Sequence, residues 1–132
     1  MKDPRTQLKV LIVEDHQDAR TTMRMLLSLG YGHIVYEAAD GTSGLRSALE
    51  LRPDVALIDL GLPDLDGKDV ARGIRAQVDK RDMLLIALTG YDSAEDQRLA
   101  LEAGFDIHLV KPVTSSALQR ILEGLVQPRN ET

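Results

Sequence analysis

The chain has 132 residues, a formal net charge of −5 and no cysteine. A chain of this length fits one domain with a single core, and the absence of cysteine excludes disulfides and thiolate metal sites. The acidic balance without a basic stripe argues against nucleic-acid binding, and no apolar run approaches the ~18 residues of a membrane span.

The N-terminus, MKDPRTQ, is polar and lacks the apolar core of a signal peptide, so we expect a cytoplasmic protein without a membrane anchor. The next residues, KVLIVED at 9–15, form an apolar run that ends in two acids and predict a first strand. Apolar residues then recur at helical spacing until Gly30, where we expect the first helix to end. Residues 33–40 predict a second strand, and Asp40 is expected to cap a second helix, which Pro53 ends.

Three further pairs of strand and helix complete the chain. Apolar runs at residues 54–59, 83–89 and 106–111 predict the third, fourth and fifth strands. Each run is followed by an amphipathic stretch, and Ser93 is expected to cap the fourth helix. The apolar residues that mark the third and fifth helices are Val70, Ala71, Ile74, Val78, Leu118, Ile121, Leu122 and Leu125.

Strands that alternate with helices of this length predict an α/β fold with a parallel sheet, because parallel neighbours need a crossover connection. A doubly wound sheet is favoured, since an eight-stranded barrel needs about 250 residues. In open sheets of this kind, ligands bind beyond the carboxyl ends of the strands. The residues at these ends are therefore the candidates for chemistry.

Charged and hydroxyl side chains stand at the strand ends. Carboxylates about 5 Å apart repel by roughly 3 kcal/mol at an effective dielectric constant near 20, so clustered acids favour a raised pKa or a bound cation. With oxygen ligands only, Mg²⁺ is the natural cation, and an ammonium and a hydroxyl beside it would complement phosphoryl oxygens. The residues are Glu14 and Asp15 after the first strand, Asp59 after the third, Thr89 after the fourth and Lys111 after the fifth.

The loop after the third strand carries two more aspartates, Asp64 and Asp66. Their side chains suit turns and N-caps, so we expect them to shape this loop and to cap a helix that begins near Gly67. Neither is expected to take part in chemistry.

The five reactive positions stand in a specific order at the strand ends, within the segments LGLPDLDG, ALTGY and AGFDIHLVKPV. Over its whole length, the chain resembles the response-regulator receiver domain of two-component signalling. The resemblance implies a flavodoxin-like sheet of five parallel strands in the order 2-1-3-4-5, with five helices. It also implies a single receiver domain over residues 1–132, with a core at about 8–126 and polar tails.

The resemblance implies that Asp59 is the phosphoacceptor, taking a phosphoryl group from the phosphohistidine of a histidine kinase or a histidine phosphotransfer protein. Thr89 and Lys111 are expected to bind the phosphoryl oxygens. No enzyme activity is expected beyond self-phosphorylation and autodephosphorylation. The expected Mg²⁺ ligands are Asp15, Asp59 and the backbone carbonyl of Gly61, with Glu14 assisting through a water molecule.

Two further sets of positions match the family. Thr89 and His108 occupy the switch positions, although many receivers carry an aromatic residue, often Tyr, where His108 stands. An imidazole there can still change rotamer or titrate. Gly61, Gly90 and Tyr91 match variable positions that tune the access of phosphodonors and of the hydrolytic water.

In the family, the fourth helix, fifth strand and fifth helix form the responding face (α4-β5-α5), which would bind a downstream protein or a second copy of the chain. Leu99 and Leu101 are about 200° apart around a helix, so we expect one of them to be exposed on this face. No output domain, nucleic-acid contact or membrane contact is expected. The chain is then either a stand-alone regulator or the receiver part of a longer regulator or hybrid histidine kinase.

Two other functions are kept as alternatives. A degenerate receiver would act only as a binding module, although every reactive position is filled here. Haloacid-dehalogenase-like phosphatases also place an aspartate at a parallel strand end with Mg²⁺, Thr and Lys, but they need a second acid two residues later. This chain has Gly61 there, so a phosphatase is the weaker alternative.

Overall fold

Strands and helices alternate along the chain in a computed structural model, which describes residues 7–90 and 93–125. The first helix continues into a π-helical turn, Leu26–Gly30, and ends at the predicted glycine. The elements are β1 (Lys9–Val13), α1 (Gln17–Met25), β2 (Ile34–Ala38), α2 (Gly41–Leu51), β3 (Val55–Asp59), α3 (Gly67–Arg75), β4 (Leu84–Thr89), α4 (Ala94–Ala103), β5 (Ile107–Val110) and α5 (Ser115–Leu125).

The strands form one parallel sheet in the order β2-β1-β3-β4-β5. The predicted doubly wound, flavodoxin-like fold with five helices is therefore confirmed. Because all strands run in one direction, their carboxyl ends lie at one edge of the sheet. We call this edge the carboxyl edge.

The sheet is buried on both faces, as its nearly continuous apolar strands require. On one face, strand side chains such as Leu11 and Ile58 pack with Ile74 of α3 and with residues of α2 and α4. On the other face, Ile12 and Leu57 pack with Leu118 and other residues of α5, and with the end of α1. Alternate residues of each strand thus serve two separate cores.

Side-chain caps fix the starts of three helices. The Asp40 carboxylate accepts a hydrogen bond from the Ser43 amide at 2.8 Å, and the Ser93 hydroxyl accepts one from the Asp96 amide at 3.0 Å. The Asp66 carboxylate accepts one from the Lys68 amide at 2.9 Å. The predicted caps of α2, α3 and α4 are therefore confirmed.

The exposed side of α4 carries an apolar residue. Leu101 is 54% exposed, whereas Leu99 is half-buried. The expectation that one of these two leucines is exposed is confirmed, and its role in partner binding stays a prediction. Among the residues that the structure describes, no helix has the length and apolar character needed to cross a bilayer.

Candidate functional site

Three acidic side chains meet at the carboxyl edge. Glu14 and Asp15 follow β1, Asp59 ends the neighbouring β3, and one carboxylate oxygen from each lies within 4.8 Å of the others. Glu14 and Asp59 are 1% and 7% exposed, whereas Asp15 faces solvent. The adjacency of β1 and β3 in the sheet is what joins residues that are 44 or more positions apart in sequence.

Lys111 supplies a positive charge to this cluster. Its ammonium Nζ lies 3.0 Å from Asp59 Oδ2 and 3.1 Å from Glu14 Oε1, and the side chain is 37% exposed. The residue follows β5, and its backbone amide donates a 2.7 Å hydrogen bond to the carbonyl of Thr89 at the end of β4. One lysine thus bridges two buried carboxylates while its own backbone is tied to the next strand.

The surroundings keep Asp59 and Lys111 charged. Burial opposes ionisation of Asp59, but hydrogen bonds from the Gly61 amide at 2.9 Å and from Lys111 outweigh it and hold the carboxyl pKa below its usual value. Burial likewise opposes the charge on Lys111, but the carboxylates of Asp59 and Glu14 outweigh it and raise the ammonium pKa. An ionised Asp59 is what a nucleophilic carboxylate requires.

Glu14 behaves differently. Its burial raises the carboxyl pKa, although hydrogen bonds from the His16 amide and from Lys111 partly offset this effect. The neighbouring charge of Asp59 raises the pKa further. The two buried carboxylates share one ammonium, but the pKa of Glu14 is raised and that of Asp59 is lowered. Their mutual repulsion favours a cation bound beside them.

Thr89 and His108 lie on the same face of the sheet. Ala87 pairs in register with His108, and Thr89 is two residues beyond Ala87 on β4, so their side chains point to one side. Ala87 belongs to the core beneath α2, α3 and α4. Imidazole Nε2 of His108 is buried and, among the described residues, has no hydrogen-bond partner.

The positions expected to tune access are open. A Cβ added at Gly90 would meet no described atom within 4 Å, and at Gly61 the nearest atom would be Asp59 Oδ1 at 3.7 Å. Both positions therefore have room for side chains of different sizes. Tyr91 lies outside the described residues.

Gly67, which the sequence predicts only as the start of a helix, lies against the backbone of Asp59. A Cβ there would lie 2.6 Å from the backbone oxygen of Asp59 and 2.8 Å from Cα of Leu60. The first residue of α3 therefore packs directly on the backbone of Asp59 and Leu60. A glycine that follows an N-cap aspartate was the available signal, but the clash itself depends on the angle at which α3 meets the sheet.

Two polar contacts were also missed. Arg20 donates from Nη1 to the Glu14 backbone carbonyl at 2.8 Å and from Nε to Glu37 Oε1 at 3.0 Å, joining α1 to the acidic pair and to β2. The Asp64 carboxylate accepts three hydrogen bonds from Gly41 and Thr42 at the start of α2. The sequence gives no local signal for either contact. The partners of Asp64 are more than 20 residues away, and Arg20 lies on a helix with a polar, solvent-facing pattern.

A groove of about 640 Å³ adjoins the cluster. It lies between α1 and the chain that links β5 to α5, and its lining is mainly apolar. Glu14 and Lys111 stand at its polar end, while Met23, Leu26 and Val113 line its apolar part. The groove thus leads from an apolar surface to the carboxyl edge.

The residues at the carboxyl edge fit a magnesium ion. They present carboxylate oxygens from three side chains close together, with no nitrogen or sulfur ligand among them. Mg²⁺ prefers oxygen ligands and is commonly held by one or two carboxylates with waters and a phosphate. The structure places Gly61 beside Asp59 through a hydrogen bond from the Gly61 amide to the Asp59 carboxylate, while the role of the Gly61 carbonyl as a ligand stays a prediction.

A sequence profile of the response regulator receiver domain matches residues 10–123. The chain belongs to the response regulator receiver family. It is thus a receiver domain of the kind that operates in two-component signalling. The match runs from the second residue of β1 almost to the end of α5, and so includes every strand end of the candidate site.

Relatives and solved structures agree with this assignment. The chain is 36% identical over 127 residues to the transcriptional regulatory protein PrrA of Mycobacterium tuberculosis, covering 96% of this chain and 53% of PrrA. It is 32% identical over 120 residues to the response regulator MprA of Mycobacterium ulcerans, covering 91% of this chain and 50% of MprA. The chain therefore spans about half the length of these curated relatives.

One solved receiver bears on the metal. The receiver domain of the sensor histidine kinase PA1611 from Pseudomonas aeruginosa, with a magnesium ion coordinated in its active-site cleft, has a TM-score of 0.81 and 37% identity. The match covers 92% of this chain and 99% of that one. A CheY-like receiver from Methanospirillum hungatei has a TM-score of 0.83 and 28% identity, covering 91% of this chain and 94% of that one.

Proposed function

We propose that this receiver accepts a phosphoryl group on Asp59 from the phosphohistidine of a histidine kinase or a histidine phosphotransfer protein, with Mg²⁺ bound beside it. The observation that carries the proposal is the contact of a buried Asp59 carboxylate with the Lys111 ammonium at 3.0 Å. The contact keeps the carboxylate ionised, and Gly61 and Gly90 leave it open to a donor.

Phosphoryl transfer uses the side chains that end the neighbouring strands. An oxygen of the Asp59 carboxylate attacks phosphorus, the new O–P bond forms, and the P–N bond of the phosphohistidine breaks. The imidazole leaves with the bonding electron pair and takes up a proton. Lys111 balances the negative charge of the phosphoryl oxygens, and the hydroxyl of Thr89 donates to one of them.

The acidic cluster is the proposed magnesium site. Asp15, Asp59 and the backbone carbonyl of Gly61 would hold the ion, and Glu14 would assist through a water molecule. When bound, Mg²⁺ neutralises the repulsion between the carboxylates and the anionic phosphoryl group. The close approach of the three carboxylates, within 4.8 Å, supports this assignment.

The groove beside α1 supports a protein as the donor. Its apolar lining gives a partner surface to bind, and its polar end at Glu14 and Lys111 directs a phosphohistidine toward Asp59. A small phosphodonor needs no such surface, so a protein donor should transfer faster at equal concentration. The groove therefore favours a histidine kinase or a histidine phosphotransfer protein over a metabolite as the natural source.

The proposed output face comprises α4, β5 and α5. Thr89 and His108 lie on the face of the sheet that α4 helps to cover, and the exposed Leu101 gives α4 an apolar contact residue for a downstream protein or a second copy. The receiver would act in the cytoplasm, without direct nucleic-acid or membrane contact. It would stand alone or serve a longer regulator or hybrid kinase, and its matches to half of PrrA and to a kinase receiver fit the second arrangement.

The receiver would not turn over other substrates. A phosphatase of the haloacid-dehalogenase type needs an acid at the position of Gly61 to protonate the leaving group. With a glycine there, one phosphoryl group is taken up per chain and is then lost by hydrolysis. A pure binding module is disfavoured because the Asp59 carboxylate, the Lys111 ammonium and the other two acids lie close together.

Intact mass spectrometry tests the proposal. The chain is incubated with Mg²⁺ and acetyl phosphate, and we expect it to gain the mass of one phosphoryl group. Asp59→Asn should abolish the gain, whereas Asp69→Asn, at an exposed aspartate that pairs with Arg72 on α3, should retain it. Absence of an adduct with any donor or metal would contradict the proposal, and steady hydrolysis of an added phosphomonoester would favour a phosphatase.

A further inference from the structure

The carboxylate of Asp64 joins the loop after the phosphoacceptor to a different helix. This loop, residues 60–66, links β3 to α3, and we call it the acceptor loop. Asp64 Oδ1 accepts a hydrogen bond from the Gly41 amide at 2.6 Å. Asp64 Oδ2 accepts from the Thr42 amide at 2.9 Å and from the Thr42 hydroxyl at 2.7 Å. The first turn of α2 is thus held by a residue 22 or 23 positions away.

The contact is close as well as polar. A Cβ added at Gly41 would lie 2.7 Å from Cβ of Leu65 and 3.1 Å from Asp64 Oδ1, so the acceptor loop rests directly on the start of α2. A carboxylate at a helix N-terminus also interacts favourably with the helix dipole. The hydrogen bonds from Thr42 and Gly41 hold the Asp64 pKa well below its usual value, so the contact persists wherever the protein is folded at neutral pH.

The ends of the acceptor loop have anchors of their own. At its start, the Gly61 amide donates to Asp59 Oδ1. At its end, Asp66 caps α3. Between them, Leu62 and Leu65 pack against the core, and Asp64 supplies the polar contact that ties the loop to α2 rather than to the elements that the loop connects. Without the Asp64 side chain, the segment between Gly61 and Asp66 would lose these three hydrogen bonds to α2.

We infer that Asp64 is a positioning residue for the bound magnesium ion. By fixing the acceptor loop on α2, it sets the backbone of Gly61 beside Asp59, so that the Gly61 carbonyl is held ready as a ligand. Asp64 does not touch the ion itself. The inference rests on the proposed function, because it assumes that Mg²⁺ binds at the carboxyl edge.

Removing the anchor should weaken magnesium binding. Mutating a residue that orients a metal ligand typically changes the metal affinity by 10–100-fold. Because Asp64 acts on the ligand through the backbone of the loop, we expect Asp64→Ala to raise the Mg²⁺ Kd by about tenfold, at the lower end of that range. Asp64→Asn keeps one acceptor oxygen and should have a smaller effect. Thr42→Ala removes only the hydroxyl donor and should shift the Kd in the same direction by less.

Asp40→Ala is the matched control. Asp40 is also a carboxylate at the start of α2, where it accepts from the Ser43 amide at 2.8 Å and from the Ser43 hydroxyl at 2.7 Å. It belongs to the connection from β2 and not to the acceptor loop. Its loss should destabilise α2 as Asp64→Ala does, yet leave the Mg²⁺ Kd within about twofold of the original value.

Two measurements decide the inference. Isothermal titration calorimetry gives the Mg²⁺ Kd of each variant, and the rate of phosphorylation by acetyl phosphate is followed against Mg²⁺ concentration. We expect Asp64→Ala to need more Mg²⁺ for half-maximal rate but to approach the original rate at saturation. An unchanged Kd in Asp64→Ala, or an equal loss in Asp40→Ala, would overturn the inference.

The outcomes separate this inference from the proposed function. If the unmodified chain binds no Mg²⁺ and gains no phosphoryl group, the proposed function fails and the role of Asp64 fails with it. If the unmodified chain does both and Asp64→Ala matches it, only the role of Asp64 is refuted. Urea denaturation checks folding, and if Asp64→Ala is unfolded, the Mg²⁺ Kd of Thr42→Ala decides, with no change counting against the inference.

Discussion

Gly67→Ala places a methyl group where the chain has no space for one. The added Cβ would lie 2.6 Å from the backbone oxygen of Asp59 and 2.8 Å from Cα of Leu60. Both are main-chain atoms, so no side-chain rotation relieves the contact. Either the start of α3 must move outward or the end of β3 must shift, and the second movement displaces Asp59.

The magnitude follows from two opposing effects. In an α-helix, alanine is more stable than glycine by roughly 0.5–1 kcal/mol, which favours the variant. Overpacking against fixed atoms typically costs about 1–3 kcal/mol, which opposes it. We expect a net loss of about 1–2 kcal/mol in the free energy of unfolding, or a fall in Tm of about 3–8 °C for a domain of this size. A shifted Asp59 should also slow phosphorylation by about tenfold or more.

The assay combines urea denaturation with the rate of phosphorylation by acetyl phosphate at saturating Mg²⁺. Gly124→Ala is the matched control, because Gly124 is exposed in α5 and a Cβ there meets no described atom within 4 Å. The control should gain about 0.5–1 kcal/mol and keep the original rate. If Gly67→Ala were as stable as Gly124→Ala and phosphorylated at the original rate, the close packing of α3 on Asp59 would be refuted.

Two more predictions concern charge and surface. Lys111→Met leaves the carboxylates of Glu14 and Asp59 without their ammonium and should cost about 1–3 kcal/mol at pH 7 by urea denaturation, less than a fully buried pair because the lysine side chain is 37% exposed. Folding lowers the Asp59 pKa, so the stability that ionised Asp59 contributes is present above its ordinary pKa of 3.8 and is lost as the pH falls through the lower pKa of the folded protein. The difference in free energy of unfolding between Lys111→Met and the original protein should therefore shrink at low pH. A difference that stays constant with pH would contradict this. Leu101→Ser, at a 54% exposed position, should change the free energy of unfolding by less than about 0.5 kcal/mol while weakening partner binding or phosphorylation-dependent dimerisation in sedimentation experiments. A larger loss of stability would show that Leu101 packs in the core.

The parts of this structure that the sequence predicts are those with local signals. The apolar run of β3 is buried at all five residues, as expected for a strand covered on both faces. The caps at Asp40, Asp66 and Ser93 act within their own first turns, so their spacing was sufficient. The position of the candidate site could be foreseen for the same reason, since each of its residues stands at a strand end and parallel strands align their ends.

The contacts that escaped prediction depend on how elements meet in space. Asp64 suits a turn by composition, but its partners on α2 are set by the angle between that helix and the acceptor loop. The contact of Gly67 with the Asp59 backbone depends on how closely α3 approaches the sheet. Arg20 donates to the Glu14 carbonyl from a helix face whose sequence pattern is that of an ordinary polar surface. In each case the residue type also suits an ordinary local role in a turn, a helix start or an exposed helix face. Only tertiary packing distinguishes that local role from the contact that the structure shows.

The hydrogen bond between the Lys111 amide and the Thr89 carbonyl limits how the receiver can respond to phosphorylation. Under the proposed function, both residues bind the phosphoryl group, yet this 2.7 Å bond joins their backbones, so β4 and β5 cannot readily separate. Moving a population from 1:99 to 99:1 takes about 5.5 kcal/mol, which several charge-assisted contacts can supply. The response should therefore arise from side chains rather than from the sheet. Thr89 and His108 share the face of the sheet that α4 helps to cover. We therefore expect the first packing contacts that change on phosphorylation to be those beneath α4 rather than those beneath α1.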